Sequence, residues 1–396
     1  MTCLPPAATT RPALFPPAML TTTLRNPFRT LSQKGKRASR DNELLGRYQQ
    51  IIGSQRLNWT SHHELHELLG SGGQGVVYKS ERRGSDDFTL PIAVKIFSPE
   101  HFKNARQYDT AMGRIGKVAS HVAQIQHDNL LDVHNFLDRN RIRMMVMEWI
   151  DGYDLRRLLT PRMLTDCRSR VSNKRWEYIN RVVVTQGRVQ PRFKAGVAVA
   201  IVRDCLGALA ALHRERIIHG DIKPANVMLK KSGNVKIIDI GSAYEQDDPP
   251  KLRTCTPAYA APEVLEGVCS RRSDLASLGY VLIELLAGQP LFSDAKNVRQ
   301  LLEEKRQLPQ RLEELLPKEV TVNELLMNFC RRLIAPDPNM RFPSAEDAEL
   351  RDQGAAAFHR QLVLGNLSVE YNNEIRLWLE ELSELEQSCD DPTRSQ

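Results

Sequence analysis

Aromatic residues make up only 6% of the 396 positions, and no apolar run approaches the roughly 18 residues that a membrane-spanning helix needs. No membrane span is therefore expected, and the mean hydropathy of -0.41 points the same way. Cysteine is sparse and scattered. The seven (Cys3, Cys167, Cys205, Cys255, Cys269, Cys330 and Cys389) are odd in number and contain no CxxC pair, which excludes a disulfide framework and a thiolate zinc site. A reducing compartment, hence a cytoplasmic location, is expected. Repeats of solenoid period are also lacking. What is present is 41% apolar and 26% charged residues, enough for two or three compact units with real cores.

The net charge is +7, which at first points to an anionic partner. Its distribution removes that inference. The first fifty residues carry a surplus of six positive charges and residues 161–195 a surplus of seven, so the rest of the chain has six more acids than bases. No nucleic-acid partner is expected for a mildly acidic body.

Residues 1–57 mix prolines, threonines and basic residues without a sustained apolar period, and are expected to form a disordered tail. Their acid-poor start faintly resembles an organelle transit peptide, and Met19 offers a second start; neither displaces the untargeted tail as the leading reading. From about residue 60 short strand-like runs follow, at 66–70, 75–81, 90–97, 130–136 and 142–149. One helix interrupts them at 109–126, with Met112, Ile115, Val118, Val122 and Ile125 spaced by threes and fours. Beyond Asp151 the patterns are helical, at 197–213, 274–287, 297–308, 322–333 and 374–386. The expected organisation is a small β-rich part followed by a larger α-rich part.

Gly70-Ser71-Gly72-Gly73-Gln74-Gly75-Val76-Val77 fits GxGxxGxV, where missing Cβ atoms let backbone N–H groups approach phosphate oxygens. A dinucleotide site would need a helix after the third glycine, but Val76-Val77-Tyr78 reads as a strand, so the loop joins two strands. Twenty residues on, Lys95 stands inside the apolar run Ala93-Val94-Lys95-Ile96, its stem packing and its ammonium free to meet what the loop covers. His219-Gly220-Asp221-Ile222-Lys223-Pro224-Ala225-Asn226 then precedes Asp239-Ile240-Gly241. This set holds a carboxylate to orient or deprotonate a hydroxyl, a lysine for charge neutralisation, and two oxygen ligands suited to Mg²⁺. Phosphoryl transfer asks for such a set, because positioning and charge neutralisation do most of the work.

With these motifs the sequence resembles the protein kinase family, and specifically its serine/threonine branch, over nearly three quarters of the chain. The resemblance implies an α+β two-lobed kinase domain at 62–350. Its β-rich N-lobe would span 62–149 and its larger helical C-lobe 153–350, with ATP between them. A basic insertion would occupy 161–195 and a helical extension 351–396. It implies a nucleotide roof of Gly70, Ser71, Gly72, Gly73, Gln74, Gly75 and Val77, with Lys95 on the α- and β-phosphates. Met147-Glu148-Trp149-Ile150 is similar to a gatekeeper and hinge, the backbone of Glu148 and Ile150 meeting adenine. Asp221 would accept the substrate hydroxyl's proton, Lys223 would neutralise the moving phosphoryl group, and Asn226 and Asp239 would hold Mg²⁺. Thr256-Pro257-Ala258-Tyr259 with Ala261-Pro262-Glu263 resembles the end of an activation segment. Asp274 resembles the support of the catalytic loop, and Arg341 the partner of Glu263. Protein substrates with Ser or Thr acceptors follow.

Three positions depart from the family pattern. Gly220 stands where most members carry an Arg, so a phosphate on Ser242 or Thr254 would lack its local counter-charge, and activity is expected not to depend strongly on it. Ile240 replaces the Phe of DFG, a tolerable apolar swap. No Glu occurs between His101 and Met147 to pair with Lys95; near the expected place, Val118, stand Arg114 and Lys117. Either Asp239 orients Lys95 instead or the nucleotide site is weakened. An active kinase leads, a nucleotide-binding pseudokinase scaffold is second, and a small-molecule kinase third. The basic insertion reads first as a solvated loop with a short hairpin at 180–190, and second as a docking surface for an acidic partner or nucleic acid. The last helix reads as packed on the large lobe.

Overall fold

The computed structural model describes residues 39–54, 56–57, 63–250, 254–364 and 371–389; expectations placed on residues 1–38 lie outside them. Six strands, β1 (Arg56–Leu57), β2 (His63–Gly72), β3 (Gly75–Arg83), β4 (Thr89–Phe97), β5 (Val133–Arg139) and β6 (Ile142–Glu148), form one antiparallel sheet in the order β1-β2-β3-β4-β6-β5. Alternation along β4 divides its side chains between two faces. Ile92, Val94 and Ile96 enter the main core. Ala93 and Lys95 lie on the other face, where Ala93 joins a separate apolar layer and Lys95 reaches Asp239.

Helix α2 (Ala105–Val122) begins where the Asn104 side chain accepts the Gln107 N–H at 3.0 Å, which satisfies an otherwise orphaned donor. Its apolar stripe buries Tyr108, Met112, Val118, Ala119 and Val122 against the sheet. Preceding the sheet is a helix where a tail is expected. Helix α1 (Ser39–Ser54) buries Leu44, Tyr48 and Ile51 in the N-lobe core. The spacing of Leu44, Tyr48 and Ile51 is helical, and burial of these side chains against the lobe outweighs the polar, basic composition of the surrounding segment.

The second lobe is built on the helices Ala195–Arg214 and Arg271–Ala287, which are buried almost throughout. Among the described residues Ala195–Arg214 is the one helix long and apolar enough to cross a membrane; its apolar side chains belong to the core of this lobe. The strands Gly152–Asp154, Val227–Lys230 and Val235–Ile237 form a small sheet. Its loops carry the residues described below. The five cysteines recorded as thiols, Cys167, Cys205, Cys255, Cys269 and Cys330, form no disulfide.

Where a solvated loop is expected, the basic insertion folds into helices Pro161–Arg170 and Asn173–Val182 and a hairpin of Val184–Gln186 with Pro191–Phe193. Met163, Leu164, Cys167, Ile179, Val183, Val184 and Phe193 are buried. They pack with the last helix, Tyr371–Cys389, whose Trp378 meets the Phe193 ring edge-on at 5.8 Å. Three of the insertion's cations pair with acids elsewhere in the chain. Arg175 pairs with Glu381 at 2.6 Å and Glu374 at 3.7 Å, and Glu319 receives Arg192 at 2.7 Å and Lys194 at 3.2 Å. Counting charge hid the amphipathic period beneath it: the cations cover one face while the apolar residues bury the other.

Candidate active site

The glycine-rich turn joins β2 to β3, as its β-branched continuation requires. Gly75 has φ +138°, and a Cβ there would lie 2.0 Å from the Ile96 carbonyl oxygen, so only glycine fits. Gly70 and Gly72 face open space. Gln74 does not. Its carbonyl accepts the Ser98 N–H at 2.9 Å, and its side chain runs beneath the turn. There Oε1 accepts from Lys95 Nζ at 2.7 Å and Nε2 donates to Ser242 Oγ at 2.9 Å. Behind the turn, Val77, Ala93, Leu131, Met147, Ile150, Met228 and Ile238 form an apolar layer contributed by both lobes. The Glu148 side chain closes its edge, accepting from the Asp132 N–H at 2.8 Å and from the buried Lys236, whose Nζ also donates to the Leu130 carbonyl at 3.0 Å.

Lys95 pairs with Asp239, the alternative anticipated for a helix without a glutamate. Burial would raise the Asp239 carboxyl, but the charge and hydrogen bond of Lys95, the Gly241 N–H and the Lys223 charge outweigh it and bring the pKa down to about 2. Asp239 sits at φ +64°, and its Oδ1 accepts the Gly241 N–H at 3.1 Å. Gly241 leaves room for these side chains: a Cβ would lie 2.2 Å from Gln74 Oε1 and 2.9 Å from Lys95 Nζ and would displace them. Ile240 is fully buried, as expected of an apolar replacement.

On the facing lobe, Asp221 Oδ2 accepts from Lys223 Nζ at 2.6 Å and Oδ1 from the Thr256 N–H at 2.8 Å. Lys223 also donates to Thr256 Oγ1 at 2.9 Å. Asn226 Nδ2 donates to the Asp221 carbonyl at 2.8 Å, which fixes its amide orientation. Below them the buried Asp274 accepts from the N–H groups of His219 at 3.0 Å and Gly220 at 2.9 Å and lies 2.9 Å from His213 Nε2. Burial would raise its pKa, but the hydrogen bond and charge of His213, with His219 and the Gly220 N–H, hold it below the usual carboxylate range. A metal ion fits the donor set here. Among the described residues no hydrogen bond claims Asn226 Oδ1 or Asp239 Oδ2, so two oxygens of the type Mg²⁺ prefers stay open.

The segment 254–263 is held from below. Arg341 meets Glu263 with two parallel hydrogen bonds, at 2.6 and 2.8 Å. The Tyr259 hydroxyl donates to Glu284 at 2.6 Å, and Gln190 of the insertion hairpin donates to the other Glu284 oxygen at 3.0 Å. Lys305, fully buried, donates to the Ala258 carbonyl at 2.6 Å and lies over the rings of Tyr280 and Phe292.

Val118 is buried in the core. The basic side chains of α2 point elsewhere: Lys117 and His121 reach Glu245, and Arg114 reaches Asp248 at 3.7 Å, in the segment that follows Asp239. Of the residues singled out from the sequence, the structure brings Lys95 to Asp239 and brings Lys223 and Asn226 to Asp221, whereas the side-chain contacts of Gln74 and the contributions of Lys236, Glu245 and Lys305 are not foreseen. A lysine within a hydrophobic strand signals such a contact, as Lys236 and Lys95 both do; the pairing of Glu245 has no local signal.

The sequence profile of the protein kinase domain matches residues 63–349. The serine/threonine-protein kinase PkaA of Streptomyces coelicolor is 29% identical over 303 residues, covering 72% of this chain and 48% of that protein. PrkC of Bacillus subtilis, also a serine/threonine-protein kinase, is 25% identical over 294 residues, 72% of this chain and 39% of its own. The chain spans less than half the length of these relatives. The kinase domain of PknI from Mycobacterium tuberculosis shares the fold, with a TM-score of 0.51 at 22% identity over 78% of this chain and 98% of that one. On the profile match, the two-lobed fold and these relatives, the chain belongs to the protein kinase family, alongside its serine/threonine members.

Proposed function

We propose that the chain is an ATP- and Mg²⁺-dependent protein kinase that transfers the γ-phosphoryl group to Ser or Thr hydroxyls of protein substrates. The observation that carries this reading is the constellation around Asp221, with Lys223 and the Thr256 N–H on its two oxygens and Asn226 against its carbonyl. In this reading Gly70, Ser71, Gly72, Gly73, Gln74 and Gly75 lie over the phosphates and Val77 over the adenine. Lys95 meets the α- and β-phosphates, and the backbone of Glu148 and Ile150 meets the adenine edge. Asp221 orients the acceptor hydroxyl and takes its proton, while Lys223 offsets charge on the transferring group. Asn226 and Asp239 would hold Mg²⁺, which when bound neutralises phosphate charge. The protein acts in the cytoplasm.

Labelled ATP with a generic basic protein tests the reading. Incorporation by the wild type should fall on the order of 10²-fold or more in Asp221→Ala and Lys95→Ala. Equal incorporation in all three, or none in any, would remove it. The absence of an acid on α2 facing Lys95 favours a second reading, a catalytically impaired scaffold that binds nucleotide; a nucleotide-dependent thermal shift without turnover would support it.

A further inference from the structure

Helix α2 carries a single acid, Asp109, and it is engaged with Arg141 at 2.5 Å and Arg143 at 3.5 Å. Lys95 is nonetheless a well-held ammonium, 6% exposed, with one N–H donated to Asp239 and another to Gln74. The Gln74 amide is fixed at both ends. An ammonium can only donate, so the atom facing Lys95 must be the oxygen. The nitrogen is then the atom on Ser242, 2.9 Å away. The backbone of Gln74 is tied to Ser98, and Gly241 supplies the room in which the amide lies. Three segments, the glycine turn, β4 and residues 239–242, therefore converge on one nitrogen.

We propose that Gln74 is the positioning residue that holds Lys95 toward the phosphates in place of an acid on helix α2. The proposal rests on the nucleotide-binding reading above and adds to it where the second partner of Lys95 comes from. The exchange has a physical consequence. A neutral amide orients the ammonium without cancelling its charge, so Lys95 keeps more of its attraction for the polyphosphate than it would between two carboxylates. It also ties that orientation to the glycine turn, which would close over the nucleotide, so the lysine is aligned when the turn is down.

Three variants test this. Gln74→Leu fills the same space without an acceptor, Gln74→Glu restores an acceptor of the same shape, and Gln74→Ala removes both. Binding of Mg·ADP by calorimetry and the KM for ATP are measured for each beside the wild type. Loss of one hydrogen bond to a charged group predicts a KM raised roughly 10-fold or more in Gln74→Leu and Gln74→Ala with a smaller change in kcat, and a smaller rise in KM in Gln74→Glu, which keeps the acceptor but offsets part of the Lys95 charge. A Gln74→Leu protein that binds and turns over as the wild type does, or better, would overturn the proposal; improvement would mean that the contact only latches the empty turn. A wild type that binds no nucleotide would instead defeat the reading on which the proposal rests, so the two failures are distinguishable.

Discussion

Asp221 and Lys95 lie on opposite sides of one cleft, and their partners come from different distances along the chain. Asp221 is held by Lys223 and Asn226, two and five residues away, with Thr256 completing the set. Lys95 is held by Gln74, 21 residues before it, and by Asp239, 144 residues after it. The lower side is a local motif whose geometry is largely fixed by a short loop on a buried helix pair. The upper side exists only when the glycine turn and the two lobes meet. Chemistry confined to the lower side is therefore robust, while lysine alignment is conditional on the position of the lobes.

Asp239 belongs to both sides, so changing it breaks the comparison most severely. Asp239→Asn should lower turnover by roughly 10²-fold or more. It should also alter acid stability. The folded carboxyl titrates at about 2, below its ordinary 3.8, so its contribution is present above about pH 4 and is lost as the pH falls toward 2. Urea titrations between pH 4 and 2 should show a shallower fall in the variant than in the wild type.

The lower side also depends on the pair beneath it. Glu263→Ala leaves the buried Arg341 with carbonyl partners alone, and should cost about 3–5 kcal/mol in denaturant unfolding. The upper side should respond less in stability and more in substrate affinity. Glu245→Lys sets a like charge against Lys117 of α2 and removes the acceptor of His121, and should raise the KM for ATP roughly 3- to 10-fold with little change in unfolding midpoint. The smallest effect is expected from Thr254→Ala. With glycine at 220 no arginine stands there to receive a phosphate, so turnover should stay within about 2-fold of the wild type in a steady-state assay.

Much of this was legible because it is periodic or contiguous. Alternation in β4, threes and fours in α2, and the spacing from His219 to Asp239 yield the strands, the helix and the lower side of the site. Other features depend on what a segment meets. Lys117 and Glu245 lie 128 residues apart, and no pattern in either segment pairs them. The Gln74 amide points inward because Gly241 leaves it room, a fact of two loops jointly. In the insertion, nine cations mask the apolar set of Met163, Cys167 and Ile179, and the helix that packs on 161–170 lies at the other end of the chain. Helix α1 was hidden in the same way: Leu44, Tyr48 and Ile51 have helical spacing, but the lobe they cover supplies the reason to fold.

The most direct measurement is the separation of binding from transfer in Asp221→Ala, because the lower side is assigned the chemistry and the upper side the nucleotide. Affinity for Mg·ATP by calorimetry and phosphate transfer to a basic protein are read on the same preparation. The variant should bind within about 3-fold of the wild type while transfer falls on the order of 10²-fold or more. Transfer retained at the wild-type rate, with binding unchanged, would contradict the assignment of chemistry to Asp221.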